Sequence, residues 1–396
     1  MRMLQISPGK SHPSHLLWLS SGYLLQPSLP ARPLEVVAQG CLQSVFAWAR
    51  EFVSCRGRRG GCRGPNGPGV VLRYGPRRAQ DDAQAVFWYR RSAAAGCAGG
   101  QNNLAACYAN GAGVKVDLAK ALRWFNLAAE AGNTEAQNTL GEYYQLGKGV
   151  KANPDKAAAW YHRAAAAGNS NAQFNLANCF HFGRGMDADP GQAVLWFARS
   201  AAAGDSRAQH NLALAYKSGI GACVDVEKAA SLFRQAAEAG QRAAQLSLAE
   251  CYAFGIGVVV DPVQALSWYK RAAELGSADA QCGVAACYAN GAGVLANPVQ
   301  AAEWYRRAAE GGSVNAKFAL GECHIKGFGV GVDNTLALEW FTRAAEAGDA
   351  DGMLNVAIFY EGGRGVAVDI AVAALWYHRA AAAGQRDAIA RVRAGF

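Results

Sequence analysis

From Asp117 onward, apolar residues stand at Ala121, Trp124, Phe125, Ala128 and Ala129, the spacing that gathers one face of an α-helix. From Asn133 a second apolar series, Ala136, Leu140 and Tyr144, steps by four and predicts another helix. The pair then recurs along the chain. Trp88-Tyr89, Trp124-Phe125, Trp160-Tyr161, Trp196-Phe197, Leu232-Phe233, Trp268-Tyr269, Trp304-Tyr305, Trp340-Phe341 and Trp376-Tyr377 follow one another at intervals of 36 residues. A glycine lies eight residues after each first member, from Gly96 to Gly384, with no insertion or deletion between them.

Polar and small residues punctuate this pattern at fixed places. The Trp-bearing helix (B) is preceded in every unit by Asp or Asn, as at Asp117, Asn153 and Asp369, a short acceptor for the free amides of a first turn. Pro154, Pro190, Pro262 and Pro298 follow that residue, where a missing N–H costs nothing. The other helix (A) starts after the unit's glycine, with Asn133, Asn169, Asp205, Ser277, Ser313 and Asp349 as expected caps. It ends in Gly-x-Gly, from Gly111 and Gly113 to Gly363 and Gly365, which suits a helix stop followed by a tight turn. Ala or Gly follows the signature Leu of helix A at 105, 141, 177, 213, 249, 285, 321 and 357, so two helices can approach closely there.

One such helix pair cannot bury its apolar face alone, so the units must stack. The expected fold is an all-α solenoid over 81–396: eight 36-residue units, a preceding B-type helix at about 82–95 and a terminal helix at about 386–394. Leu-Ala-x-x-Tyr, then Gly-x-Gly-Val, then Asp, Ala and Trp-Tyr, then Ala-Ala-x-x-Gly resembles the Sel-one-like repeat, a relative of the tetratricopeptide repeat. Leu232 in place of Trp, Val284 and Val356 in place of Leu, Gly352 in place of the early Ala, and His324 in place of Tyr depart from that pattern. The resemblance implies a right-handed superhelix of antiparallel helix pairs acting as a non-catalytic scaffold or adaptor for proteins. It also raises two narrower readings. One is a substrate adaptor in ubiquitin-linked quality control. The other is the β-lactamase-like hydrolysis once suspected of some bacterial members, for which the repeat carries no catalytic motif.

Charge changes this picture only at one end. The chain has 39 basic and 30 acidic residues. Residues 1–80 hold eleven of the bases and two of the acids, so the remainder is neutral and the whole excess of +9 sits in the leader. Any nucleic-acid contact therefore falls to those residues, with Arg56 to Arg78 as the candidates. The leader reads as a basic, disordered tail with the Arg excess of an organellar transit peptide, and 35–53 could form one amphipathic helix. No run of 18 apolar residues occurs, which excludes a hydrophobic membrane-spanning helix. The expected location is the cytoplasm, or a mitochondrion or plastid if the leader is a transit peptide.

Residues that could carry chemistry resolve into packing or surface. Cys107, Cys179, Cys251, Cys287 and Cys323 share one repeat position with Tyr143, Ala215 and Phe359, which describes a packed site for small hydrophobes. No second cysteine column exists to pair with it, which argues for reduced thiols. Cys179 with His181, and Cys323 with His324, lack four-ligand zinc spacing, and Cys41, Cys55 and Cys62 are only three. No Gly-x-Ser-x-Gly or His-Glu-x-x-His motif is present, so neither catalytic residue nor cofactor is expected.

What remains is a polar stripe on the A helices, one before, two after and five after the signature Leu. In helix pairs of this kind the A helices line the concave side. The stripe contains Asn103, Glu142, Asn175, His181, Asn211, Lys217, Glu250, Glu322 and Asn355, with Gln145 and Glu361 also at its third position. Asn both donates and accepts, which suits an extended peptide backbone. The expected partner is a protein or peptide, bound by a monomer.

Overall fold

The computed structural model describes residues 78–395, and among these every regular element is a helix. The expected disorder and targeting role of the leader, the 35–53 helix and Cys41, Cys55 and Cys62 lie outside the described residues. In chain order the elements are α1 (Arg78–Ala94), α2 (Ala98–Asn110), α3 (Leu118–Glu130), α4 (Thr134–Leu146), α5 (Pro154–Ala166), α6 (Ser170–Phe182), α7 (Pro190–Ala202), α8 (Ser206–Ser218) and α9 (Val226–Glu238). There follow α10 (Arg242–Phe254), α11 (Pro262–Glu274), α12 (Ala278–Asn290), α13 (Pro298–Glu310), α14 (Val314–Lys326), α15 (Asn334–Glu346), α16 (Ala350–Gly362), α17 (Ile370–Ala382) and α18 (Arg386–Arg393). Even numbers from α2 to α16 are A helices and odd numbers are B helices. α1 starts at Arg78, a turn before the expected residue 82.

Each helix begins and ends for a local reason. Asp117 Oδ1 accepts from Lys120 N at 2.9 Å, and Asn133 Oδ1 accepts from Ala136 N at 2.8 Å. The loop into a B helix is then closed across its base: Asp117 N donates to Tyr108 O at 2.9 Å and Asn153 N to Tyr144 O at 2.8 Å. Two capping details differ from the sequence reading. Ser313 makes no cap bond; its hydroxyl donates to Asp279 Oδ1 at 2.8 Å, from the preceding A helix. Gln241 and Gln385, not expected as caps, fold back to accept from Ala244 N and Ala388 N.

Consecutive helices pack on one another throughout, so the core is a succession of clusters, each drawn from neighbouring units. The second aromatic of each B helix is its centre. Tyr161, Phe233, Phe341 and Tyr377 are almost wholly buried, as are Leu140, Leu176 and Leu248. Small residues make room for them: a Cβ on Gly141 would lie 2.5 Å from the Tyr161 ring, and one on Gly321 would lie 2.8 Å from the Phe341 ring. A buried glutamine ties units together. The side-chain amide of Gln137 donates to Ala129 O at 2.9 Å, and Gln173, Gln209 and Gln245 repeat the contact with Ala165, Ala201 and Ala237. These carbonyls belong to the last turn of the preceding B helix, where groups lack intrahelical partners.

Candidate functional site

The A-helix face brings part of the expected stripe together. Asn175 of α6 donates through Nδ2 to Asn138 Oδ1 of α4 at 2.9 Å, and Asn138 Nδ2 donates to Glu142 Oε1 at 2.9 Å. This chain of amides ending on a carboxylate crosses from one unit to the next. Further along, Lys217 Nζ of α8 stands 3.9 Å from Glu250 Oε2 of α10. Asn175, His181, Asn211, Lys217 and Glu250 are half-buried, and Glu142 is exposed at its surface.

Other members of the stripe satisfy themselves on their own helix. Glu322 accepts from Lys326 at 2.9 Å, and Asn355 Nδ2 donates to Asp351 O at 2.8 Å. Asn103 is half-buried on α2. The position five after the Leu bonds to a B-helix tyrosine in two units. Tyr161 Oη donates to Gln145 Oε1 at 2.8 Å, and Glu361 accepts from Tyr377 and pairs with Arg391 at 3.1 Å. Those two groups hold aromatic residues of the B helices.

The structure adds residues that the sequence reading passed over. The position two before the Leu faces the next A helix, and it holds Asn138 and His210. His210 Nε2 lies 3.4 Å from Ser247 Oγ of α10, and its ring stands 5.5 Å from that of Phe233. Arg207 donates to Asn171 Oδ1 of α6 at 2.7 Å and pairs with Asp205. In sequence that position alternates Asn102, Asn138, Phe174, His210 and Leu246, with no polar rule to single it out.

Burial sets the protonation of the face. It raises the carboxyl of Glu250 against the Lys217 charge, and crowding by neighbouring atoms raises that of Glu142, although the residue reaches solvent, against a hydrogen bond from Asn138. Burial also lowers the His181 imidazole, and it pushes His210 down to about 4, with Lys217 adding repulsion and Asn211 opposing. His210 is thus neutral when folded, while in the unfolded chain it takes a proton near pH 6.5. Stability present above that pH is lost as pH falls towards 4, by on the order of 3 kcal/mol from this residue. His210→Asn, the residue found at the equivalent Asn102 and Asn138, should remove that share. Urea midpoints at pH 7 and pH 4.5 check this: the drop should be smaller in the variant, and equal drops refute it.

Among the described residues no group of three His, Cys, Asp or Glu side chains could hold a metal ion. The thiols of Cys179, Cys251, Cys287 and Cys323 are buried, and burial pushes each up to about 11. A thiol held protonated is a poor nucleophile and a good packing group. No helix among the described residues is long and apolar enough to cross a membrane.

Comparison with known families fits this geometry. The Sel1 repeat model matches nine consecutive stretches, 69–97 and then eight of 36 residues from 98–133 to 350–385. The chain belongs to the Sel1 repeat family. A Sel1 repeat protein from Oxalobacter formigenes is 30% identical, with a TM-score of 0.62 over 84% of this chain and 95% of the other. A protective antigen present in uropathogenic Escherichia coli strains, displaying an SLR fold, is 32% identical, with a TM-score of 0.60 over 81% of this chain and 76% of the other. A search of the curated proteins returned no match. The first Sel1 match begins at residue 69, ahead of α1.

Proposed function

We propose that this Sel1 repeat protein is a non-catalytic scaffold that binds an extended protein segment along the concave face of its A helices. The observation that carries the reading is the polar run from Glu142 through Asn138 to Asn175, continued by the Lys217–Glu250 pair. It presents donors and acceptors at unit intervals, and an extended backbone offers both kinds of group. The carboxylates among them favour a segment with basic side chains. The buried column of unbridged thiols at Cys179, Cys251, Cys287 and Cys323 fits a reducing compartment such as the cytoplasm.

Affinity purification with mass spectrometry tests this on the full chain and on a chain lacking residues 1–80. Both should retain the same partner, and Asn175→Ala/His181→Ala/Asn211→Ala should lose it while keeping its helical spectrum. Half-exposed substitutions of this kind cost about 0.5 kcal/mol each in stability, so loss of partner would reflect the face and not unfolding. Binding that needs residues 1–80, or that survives the triple variant, would reject the concave site.

A further inference from the structure

A different surface runs along the edge formed by the loops between A and B helices. The second glycine of each loop is pressed against the first turn of the preceding B helix. A Cβ at Gly185 would strike Pro154 O, one at Gly221 Pro190 O, one at Gly257 Val226 O and one at Gly293 Pro262 O. Loops and B-helix starts therefore form a continuous ledge from unit to unit.

The composition of the ledge changes along its length. In the first two units it carries Lys115, Lys120, Lys148, Lys151 and Lys156, all exposed. Lys151 and Lys156 flank a recess of about 350 Å³ that Tyr144, Val150, Ala152 and Asn153 complete. The third and fourth units are mixed, with Asp187, Asp189, Glu227 and Lys228 exposed, and in the fifth and sixth units the ledge turns aliphatic, with Val259, Val263, Leu295 and Val299 each more than 60% exposed and Leu295 at 90%. The fold does not demand these residues. The loop-tip position of Val259 and Leu295 is Lys115 and Lys151 in earlier units, where the same turn forms. Exposed aliphatic side chains that recur at one edge and take no part in the core mark a contact surface.

We propose that this ledge is a second docking surface, for a partner segment that is acidic at one end and aliphatic at the other. Charge complementarity selects that occupant. The lysines call for carboxylates, and the recess between Lys151 and Lys156 has room for one. In and beside the aliphatic stretch the helix-capping carboxylates of Asp225, Asp261, Asp333 and Asp369 would repel an anionic lipid surface. A second copy laid in parallel would set lysine against lysine.

The test uses the purified full chain and three fluorescent peptides: a sixteen-residue Asp/Glu-then-Leu/Val peptide, its Lys-for-acid counterpart, and an acid-then-Ser peptide. In anisotropy titrations the first should bind about tenfold or more tightly than the others, a gap of at least ~1.4 kcal/mol. Val259→Asp/Leu295→Asp should weaken it about tenfold at any salt, and Lys151→Glu/Lys156→Glu should weaken it and reduce its salt dependence. The Asn175/His181/Asn211 triple variant should leave it unchanged, which separates this surface from the concave one. Equal binding of the three peptides, no saturable binding, or ledge variants without effect would overturn the proposal. So would self-association in sedimentation, or phosphatidylserine-vesicle binding, abolished by Leu295→Asp, each of which names another occupant.

Discussion

Phe341→Ala is expected to destabilise the protein by about 3–5 kcal/mol, the range for truncating a buried aromatic. The ring is wholly buried on α15 between two A helices. It meets Phe318 of α14 at 5.4 Å and Phe359 of α16 at 5.7 Å between centroids. The neighbouring Gly321 has no side chain with which to fill the space. Because each unit contacts only its neighbours, the loss should fall on 314–362 and split the unfolding curve. Urea titration by circular dichroism, with hydrogen exchange to locate the early step, reads this out. Phe341→Tyr is the control, since Tyr161, Tyr269, Tyr305 and Tyr377 occupy the position elsewhere; it should cost about 1 kcal/mol or less. A uniform shift of one transition, or a loss below about 1 kcal/mol for the alanine variant, would refute the picture of serial cores.

Gly257→Ala should cost about 2–5 kcal/mol, the sum of a left-handed backbone and overpacking. Its φ is +68°, and its Cβ would overlap the carbonyl oxygen of Val226 on the preceding B helix. Gly240→Ala is the matched comparison. Its φ is +84°, but no atom lies within 4 Å of the added Cβ, so it should pay only the backbone cost of about 1–2 kcal/mol. Thermal and urea unfolding of the two variants side by side decide the point. Equal losses would mean that the loop does not press on the preceding unit.

These two glycines show how far the sequence reading reached. Both recur every 36 residues, and Gly240 was legible as a helix stop and Gly257 as the tight turn that follows one. Which one also serves as a seam between units was not, because a spacing records the chain's own turn and not what another unit brings against it. The candidate site divides in the same way. The stripe one and two residues from the signature Leu was found, and Asn175 and Glu142 do join through a shared network. Asn138, the residue that joins them, was missed, because it sits at a position that elsewhere holds Phe174 or Leu246. Gln145 and Glu361 stand on the same stripe and also accept from tyrosines of the B helices, a contact that spacing does not reveal. Ser313 looked like an ordinary cap until Asp279 was placed within reach of its hydroxyl.

The helices, most of their caps and stops, the 36-residue unit and the need to stack are legible from residue spacing alone. Those follow from local propensity and from apolar faces too large for one pair to bury. Which polar groups meet across units, how deeply His210 is buried and how the loops press on the preceding B helices emerge only when the units are stacked. Each of these depends on the rotation and separation of successive units, quantities that no residue spacing within a unit records.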